Sequence, residues 1–274
     1  MPLRIRLHTE SSIPIEVNSL NLKTMREQSA KTIAKTLVFR GNEKVPCGDF
    51  FDVSGSATDD NTVLWEGNLH KIKLIGSHHS SGTLRVEGNV GMHFGAEMTG
   101  GEIILHGDAS DWLGAEMRGG AIHVHGNVGN LAGAVYRGGR KGMLGGEILI
   151  DGNAGNEIGH TMRRGLIAVA GNAGDAAGVG MIAGSIMIFG EPGIRNGAGM
   201  KRGTIALCQP CGQPEVLPTF KKASLYQPLF LQLYFRHLQE AGFPVPEECL
   251  AANYQRYCGD LLELGKGEIF THVS

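Results

Sequence analysis

Along the middle of the chain, large aliphatic residues come in pairs separated by one position, and each pair follows a glycine at a fixed distance. The pairs are Leu84/Val86, Ile103/Leu105, Ile122/Val124, Ile148/Ile150, Ile167/Val169, Ile186/Ile188 and Ile205/Leu207. They stand two and four residues after Gly82, Gly101, Gly120, Gly146, Gly165, Gly184 and Gly203, whose gaps are 19, 19, 26, 19, 19 and 19. A second series, Gly76, Gly95, Gly114, Gly133, Gly159, Gly178 and Gly197, has its 26-residue gap one step later. Together the two series locate a single seven-residue insertion between Gly133 and Gly146. Spacing of two sends both side chains of a pair to one face of a strand, and the β-branched residues that dominate the pairs suit that conformation.

Nineteen residues are too few for a βαβ unit, which takes about 30. They fit one coil of short strands and tight turns, so residues 76–209 are predicted to form an all-β, right-handed β-helix of about seven coils. Stacked coils bring equivalent strands to about 4.8 Å and turn the aliphatic pairs into two internal ladders. Met98, Met117, Met143, Met162, Met181 and Met200, each three residues before a repeat glycine, predict a third, since methionine fills irregular gaps. Glycines close the strands at Gly88, Gly107, Gly126, Gly152, Gly171 and Gly190, and Asn127, Asn153 and Asn172 follow three of them at positions that suit tight turns.

The flanks lack the rhythm. Residues 1–75 read as an α+β cap, with LRIRLH and IPIEV as an antiparallel pair, one helix over 22–38, and a strand-like TVLWEGNLHKIKLIG leading into the first coil. Residues 210–274 read as a linker and helical tail. Pro210, Pro214 and Pro218 mark the linker. Leu229, Leu231, Leu233, Phe235 and Leu238 predict an amphipathic helix closed by Gly242 and Pro244. A last short helix is expected over NYQRYCGDLLELG.

Composition narrows the function classes. Glycine reaches 42 of 274 residues, where average usage gives roughly 20. A net charge of −2 supplies no broad field for nucleic acid or an anionic membrane. No apolar run approaches the ~20 residues of a membrane span, and MPLRIRLHTE lacks a signal-peptide core. A cytoplasmic protein is expected. The five cysteines (Cys47, Cys208, Cys211, Cys249, Cys258) are too scattered for a disulfide framework. Cys208-Gln-Pro-Cys211 is a lone CxxC, read as incidental thiols rather than a metal or redox site.

Glu87, His106, His125 and Asp151 stand five residues after repeat glycines, on the outward face. His106 and His125 with a carboxylate neighbour offer a transition-metal reading, but a polar outer face is commoner and no metal is expected. Nothing resembles a nucleophile–base set, as there is no G-x-S-x-G and no H-E-x-x-H. Segments such as GNVGMHFG match a dinucleotide pattern but recur in every coil, which marks them as turns. A β-helix polysaccharide lyase or hydrolase would need clustered outward carboxylates, and only Glu87 and Asp151 stand in register.

The repeat core, Gly/x-x-x-Met-x-x-Gly-x-Ile/Leu-x-Ile/Val-x-Gly, starts at Gly76, Gly95, Gly114, Arg140, Gly159, Gly178 and Gly197. With CGDFFDVSG at 47–55, YRGGRKGMLGGEI at 136–148 and RYCGDLLELGKGEI at 256–269, it resembles the C subunit of formylmethanofuran dehydrogenase over about residues 45–270. That family includes the C subunit of the formyltransferase/hydrolase complex of methylotrophic bacteria, whose extended tail the GFPVP and RYCGDL segments resemble more. The glycine-repeat domain of glutamate synthase is a more distant likeness. The resemblance implies a non-catalytic subunit packed against an amidohydrolase-like A subunit, a B subunit and, in methylotrophs, a formyltransferase D subunit. It also implies formyl transfer from tetrahydromethanopterin to a methanofuran-type carrier, with release of formate. Carrier, zinc and any molybdenum or tungsten pterin would then belong to the partners. Basic residues recur beside the repeat glycines at Arg118, Arg163, Arg164, Lys201 and Arg202, and the insertion adds Arg137, Arg140 and Lys141. Such a basic corner could meet the oligoglutamate tails of the family's carriers, or solvate an edge or pair with acids of a neighbouring subunit. The last three are the expected carrier or partner contact, because the insertion interrupts an otherwise regular surface.

Overall fold

A computed structural model describes residues 2–58, 60–209 and 214–273. The N-terminal segment runs through β1 (Leu3–Leu7), β2 (Ile15–Glu16), α1 (Leu22–Met25), α2 (Ala30–Ala34), β3 (Leu37–Arg40), β4 (Glu43–Pro46), β5 (Phe51–Ser54), β6 (Thr62–Glu66) and β7 (Ile72–Lys73). The expected pair between LRIRLH and IPIEV does not form. β1 lies parallel to β6 and antiparallel to β5, while β2 joins β3 and β7 in a separate four-stranded sheet. The buried faces explain this exchange: Leu3 and Ile5 pair with Val63 and Trp65, all fully buried, and so extend the interior of the repeat. The single helix expected over 22–38 is two short ones followed by a strand. Asn21 and Ser29 each cap a new start, accepting from the amides of Lys23 and Thr32.

The repeats contribute β8 (Thr83–Glu87), β9 (Glu102–His106), β10 (Ala121–Val124), β11 (Leu144–Ile150), β12 (Arg164–Val169), β13 (Ser185–Ile188) and β14 (Arg202–Leu207), one strand each. Neighbours pair in parallel and in register, so that Ile103, Ile122, Ile148, Ile167, Ile186 and Ile205 form one row. The step from Ile122 to Ile148 spans the insertion without losing register, because the extra residues leave at a corner. Single parallel bridges link Leu69, Val90, Ala109, Val128, Ala154, Ala173 and Pro192 in a second ladder. The aliphatic pairs and the six repeat methionines are buried between these ladders.

Turns are held by two rows of side-chain amides and carboxylates. Each oxygen accepts from the backbone amide one repeat on: Asn89 from Asp108, Asp108 from Asn127, Asn127 from Asn153, Asn153 from Asn172 and Asn172 from Glu191, at 2.7–2.9 Å. A parallel row runs from Asp111 through Asn130 and Asn156 to Asp175. Asn127, Asn153 and Asn172 therefore act chiefly by satisfying donors that the turn would leave unpaired. Glycine is obligatory where strand approaches strand. At Gly146, φ is +89° and an added Cβ would lie 2.6 Å from the carbonyl oxygen of Gly120.

The tail comprises β15 (Lys221–Tyr226), α3 (Leu229–Glu240), α4 (Glu247–Leu250), β16 (Asn253–Gly259) and β17 (Lys266–Val273). α3 is the expected amphipathic helix, but the last predicted helix is strand β16, so the tail is helical only in part. The free edge of β14 supplies the reason: β17 pairs with it in parallel, placing Ile269 beside Ile205 and Thr271 beside Leu207. β16 and β15 follow antiparallel, and together these strands complete an open 13-stranded mixed sheet ending at β15 and β5.

The outer face of that sheet changes character along its length. From β11 to β14 it presents Leu149, Leu166, Ala168, Met187, Phe189, Ala206 and Cys208, buried beneath Leu231, Phe235 and Leu238 of α3. Strands covered on both sides read as continuous apolar runs such as LIAV and SIMI. β8 and β9 instead alternate buried and water-facing residues, leaving Arg85, Glu87, Glu102 and His106 exposed.

Candidate functional site

Three features depart from the regular stack. The insertion forms a loop over residues 135–142, anchored by Tyr136, whose amide donates to Glu116 Oε1 at 3.2 Å. The Tyr136 ring stacks on Trp112, with centroids 5.2 Å apart, and its hydroxyl lies 3.2 Å from His93 Nδ1. Burial, followed by the carboxylates of Glu97 and Glu116, pushes the Tyr136 phenol up to about 12. Burial likewise lowers His93, keeping it neutral at physiological pH. Trp112, Tyr136, Arg137, Glu157 and His160 line a cleft of about 360 Å³ at the base of the loop. Arg137 thus borders a concave surface, while Arg140 and Lys141 project from the loop into water. The structure brings these three expected residues onto one loop but not around one pocket.

The remaining basic residues divide between locations. Arg118 pairs with Glu97 at 3.7 Å and Lys201 with Glu263 at 3.9 Å, both exposed and each worth ~0–1 kcal/mol. Arg163 and Arg164 line a second cleft of about 450 Å³ between the sheet and α3, with Ser185 and Tyr234. There His237 of α3 meets Glu147 of β11 at 2.8 Å. The tail side of this cleft was not legible in the repeat.

On the outer face, His106 stacks on His125 with centroids 4.6 Å apart, and His125 meets Asp151. Glu87 lies two rungs from His125 and takes no part. The residue missed in sequence is His123, which also meets Asp151. Its signal was its place two residues before His125, which puts both rings on one face of the strand. Cys208 is fully buried with its thiol raised by burial, and Cys249 Sγ contacts its carbonyl at 3.4 Å. Cys211 and Pro210 lie outside the described residues, so the CxxC has no structural account beyond Cys208.

Residues 71–215 match the GXGXG motif family. The C subunit of the tungsten-containing formylmethanofuran dehydrogenase 2 from Methanothermobacter thermautotrophicus is 38% identical over 90 residues, covering 32% of this chain and 33% of that protein. The C subunit of the molybdenum-containing formylmethanofuran dehydrogenase 1 from Methanothermobacter wolfeii is 36% identical over 87 residues, covering 32% and 22%. The chain thus aligns with about a third or less of the length of these curated relatives. Among solved structures, a chain of the formyltransferase/hydrolase complex (FhcABCD) from Methylorubrum extorquens, crystallised with methylofuran, superposes with a TM-score of 0.88. That match has 29% identity and covers 98% of both chains. The protein therefore belongs to the GXGXG motif family, with C subunits of formylmethanofuran dehydrogenases among its homologues.

Proposed function

We propose that this chain is the non-catalytic C-type subunit of a formyltransferase/hydrolase complex, in which formyl groups pass from tetrahydromethanopterin to a methanofuran-type carrier and leave as formate. The observation that carries the reading is the end-to-end match to a chain of the methylofuran-bound complex, tail included. The three parts of the chain divide the labour: residues 1–75 cap the rod, 76–209 wind as a right-handed β-helix, and 210–274 seal its far end and cover half of one face. The two parallel ladders, one rung per 19 residues apart from a single 26-residue step, support a coiled path, and the right-handed sense follows the general crossover rule. An amidohydrolase-like A subunit, a B subunit and a formyltransferase D subunit are the partners, and the carrier and catalytic metals belong to them. The complex works in the cytoplasm. Among the described residues no helix is long and apolar enough to cross a membrane.

Arg137, Arg140 and Lys141 are the contact to the carrier or a partner, since the loop interrupts a regular surface and such loops carry specificity. The chain is expected to show no formyltransferase, hydrolase or dehydrogenase activity by itself and to co-purify with an amidohydrolase-like protein. Recovery as an active monomer would overturn the reading. The 38% local identity to tungsten-enzyme subunits favours a second assignment, the C subunit of a metal-pterin formylmethanofuran dehydrogenase. Elemental analysis of the co-purified complex separates the two: molybdenum or tungsten at one equivalent supports the dehydrogenase.

A further inference from the structure

His123, His125 and Asp151 form a compact donor set on the open half of the outer face. His123 and His125 alternate along one rung, so the two-residue period of extended backbone places both imidazoles on the same side. Asp151 stands one rung on, its amide donating to the Val124 carbonyl at 2.9 Å. Asp151 Oδ1 lies 2.8 Å from His123 Nε2, and Oδ2 lies 2.6 Å from His125 Nδ1. The ligand atoms all fall within 4.8 Å of one another. His106, from the preceding rung, stacks on His125 with an interplanar angle of 12° and fixes the plane of that ring.

Two imidazole nitrogens and one carboxylate are the donors preferred by borderline divalent transition ions, whereas calcium and magnesium want oxygen throughout. Bond lengths of about 2.0–2.1 Å to a tetrahedral ion separate the ligand atoms by about 3.3 Å. Binding would move the Asp151 carboxylate outward and turn the two imidazoles toward each other, since the ligand atoms now span up to 4.8 Å. The donors sit at strand ends held by the backbone ladder, the kind of rigid support a site needs. The side chains of His123, His125 and Asp151 are 15%, 34% and 25% exposed, so an ion there keeps an open side.

We propose that His123, His125 and Asp151 bind one divalent transition-metal ion of the zinc class, with a coordination position left for water or a partner's side chain. Hydrogens now lying between the nitrogens and the carboxylate leave those nitrogens, moving to the far side of a neutral ring or to solvent. The ion replaces them as the link between the two rungs. It ties β10 to β11 at the one step where the chain takes 26 residues instead of 19. The proposal is independent of which complex the chain serves.

The test uses the full chain, stripped with a chelator and titrated with Co²⁺, followed by visible ligand-field absorption and calorimetry. One equivalent should bind, and His123→Ala and Asp151→Asn should each weaken it by at least about tenfold, a loss that removal of even a supporting group can cause. His160→Ala, a histidine on another corner, should bind as wild type. Circular dichroism establishes that each variant is folded, and His123→Gln serves if the alanine variant is not. Absence of saturable binding near one equivalent overturns the proposal. So does unchanged affinity in the folded His123 and Asp151 variants.

Discussion

Two glycines with nearly the same positive φ, one in a turn and one within β11, separate the cost of that φ from the cost of close strand approach. Gly138, at the tip of the insertion, has φ +85° and nothing within 4 Å of where a Cβ would stand. Gly146 has φ +89°, but its Cβ would meet the Gly120 carbonyl oxygen at 2.6 Å and Met117 Cε at 2.7 Å. In Gly138→Ala the strain of an L-residue at positive φ costs about 1–2 kcal/mol, offset by about 0.4–1 kcal/mol from the stiffer unfolded chain. A net loss of about 0–1.6 kcal/mol is expected. Gly146→Ala carries the same two terms plus a backbone overlap that can be relieved only by separating β10 from β11. Overpacking in a tight interior costs about 1–3 kcal/mol, so the total should reach about 1–5 kcal/mol, with Gly146→Ala exceeding Gly138→Ala by that overpacking cost. Urea unfolding followed by tryptophan fluorescence and by far-ultraviolet circular dichroism reads both variants. Agreement of the two probes licenses a single free energy. Equal losses in the two variants would refute the argument, because they would leave only φ strain acting at Gly146.

Other outcomes follow from the same geometry. Phe235, fully buried against Phe189 and Tyr254, should cost about 3–5 kcal/mol as Phe235→Ala. Its loss should also raise binding of a hydrophobic dye as α3 loosens from the sheet, and unchanged dye binding would mean that α3 is held elsewhere. The Tyr136 phenol is raised from 10.0 to about 12, so between those values the folded state keeps a proton that the unfolded state has lost. Stability should therefore fall as pH rises through that window, and less steeply in Tyr136→Phe; identical slopes would exclude Tyr136 as a contributor. Arg137→Glu/Arg140→Glu/Lys141→Glu, altering only exposed or cleft-lining side chains, should leave the melting temperature within a degree or two of wild type. It should reduce co-purification of partners most at low salt, where charge is least screened. Full recovery of the complex would remove the loop from the interface.

The repeat was legible because one physical demand recurs seven times. Each rung must bury an aliphatic pair and let glycine pass under the next carbonyl, so spacing alone locates every strand from β8 to β14. The ends were harder because their partners are distant in sequence. Nothing local to LRIRLH says that Leu3 and Ile5 will lie beside Val63 and Trp65. The segment NYQRYCG likewise takes its strand conformation from the sheet built on β14. The same limit applied at the site. Asp151 was visible as an outward carboxylate, but a 28-residue separation hid its contact with His123. Arg137, Arg140 and Lys141 were legible as a charge cluster, while the aromatic floor of Trp112 and Tyr136 beneath them depended on two different turns.

The change in the outer face at β11 also restricts how such a molecule can lengthen over generations. Duplication of a 19-residue unit among β8 to β10 would add a rung beneath no helix and leave the docking of α3 untouched. The same duplication between β12 and β14 would move Phe189 and Ala206 out of step with Phe235 and shift the seat of β17. One end of the molecule is thus free to vary in length while the other is locked to its own tail. Relatives that differ in repeat number should carry the difference on the uncovered side.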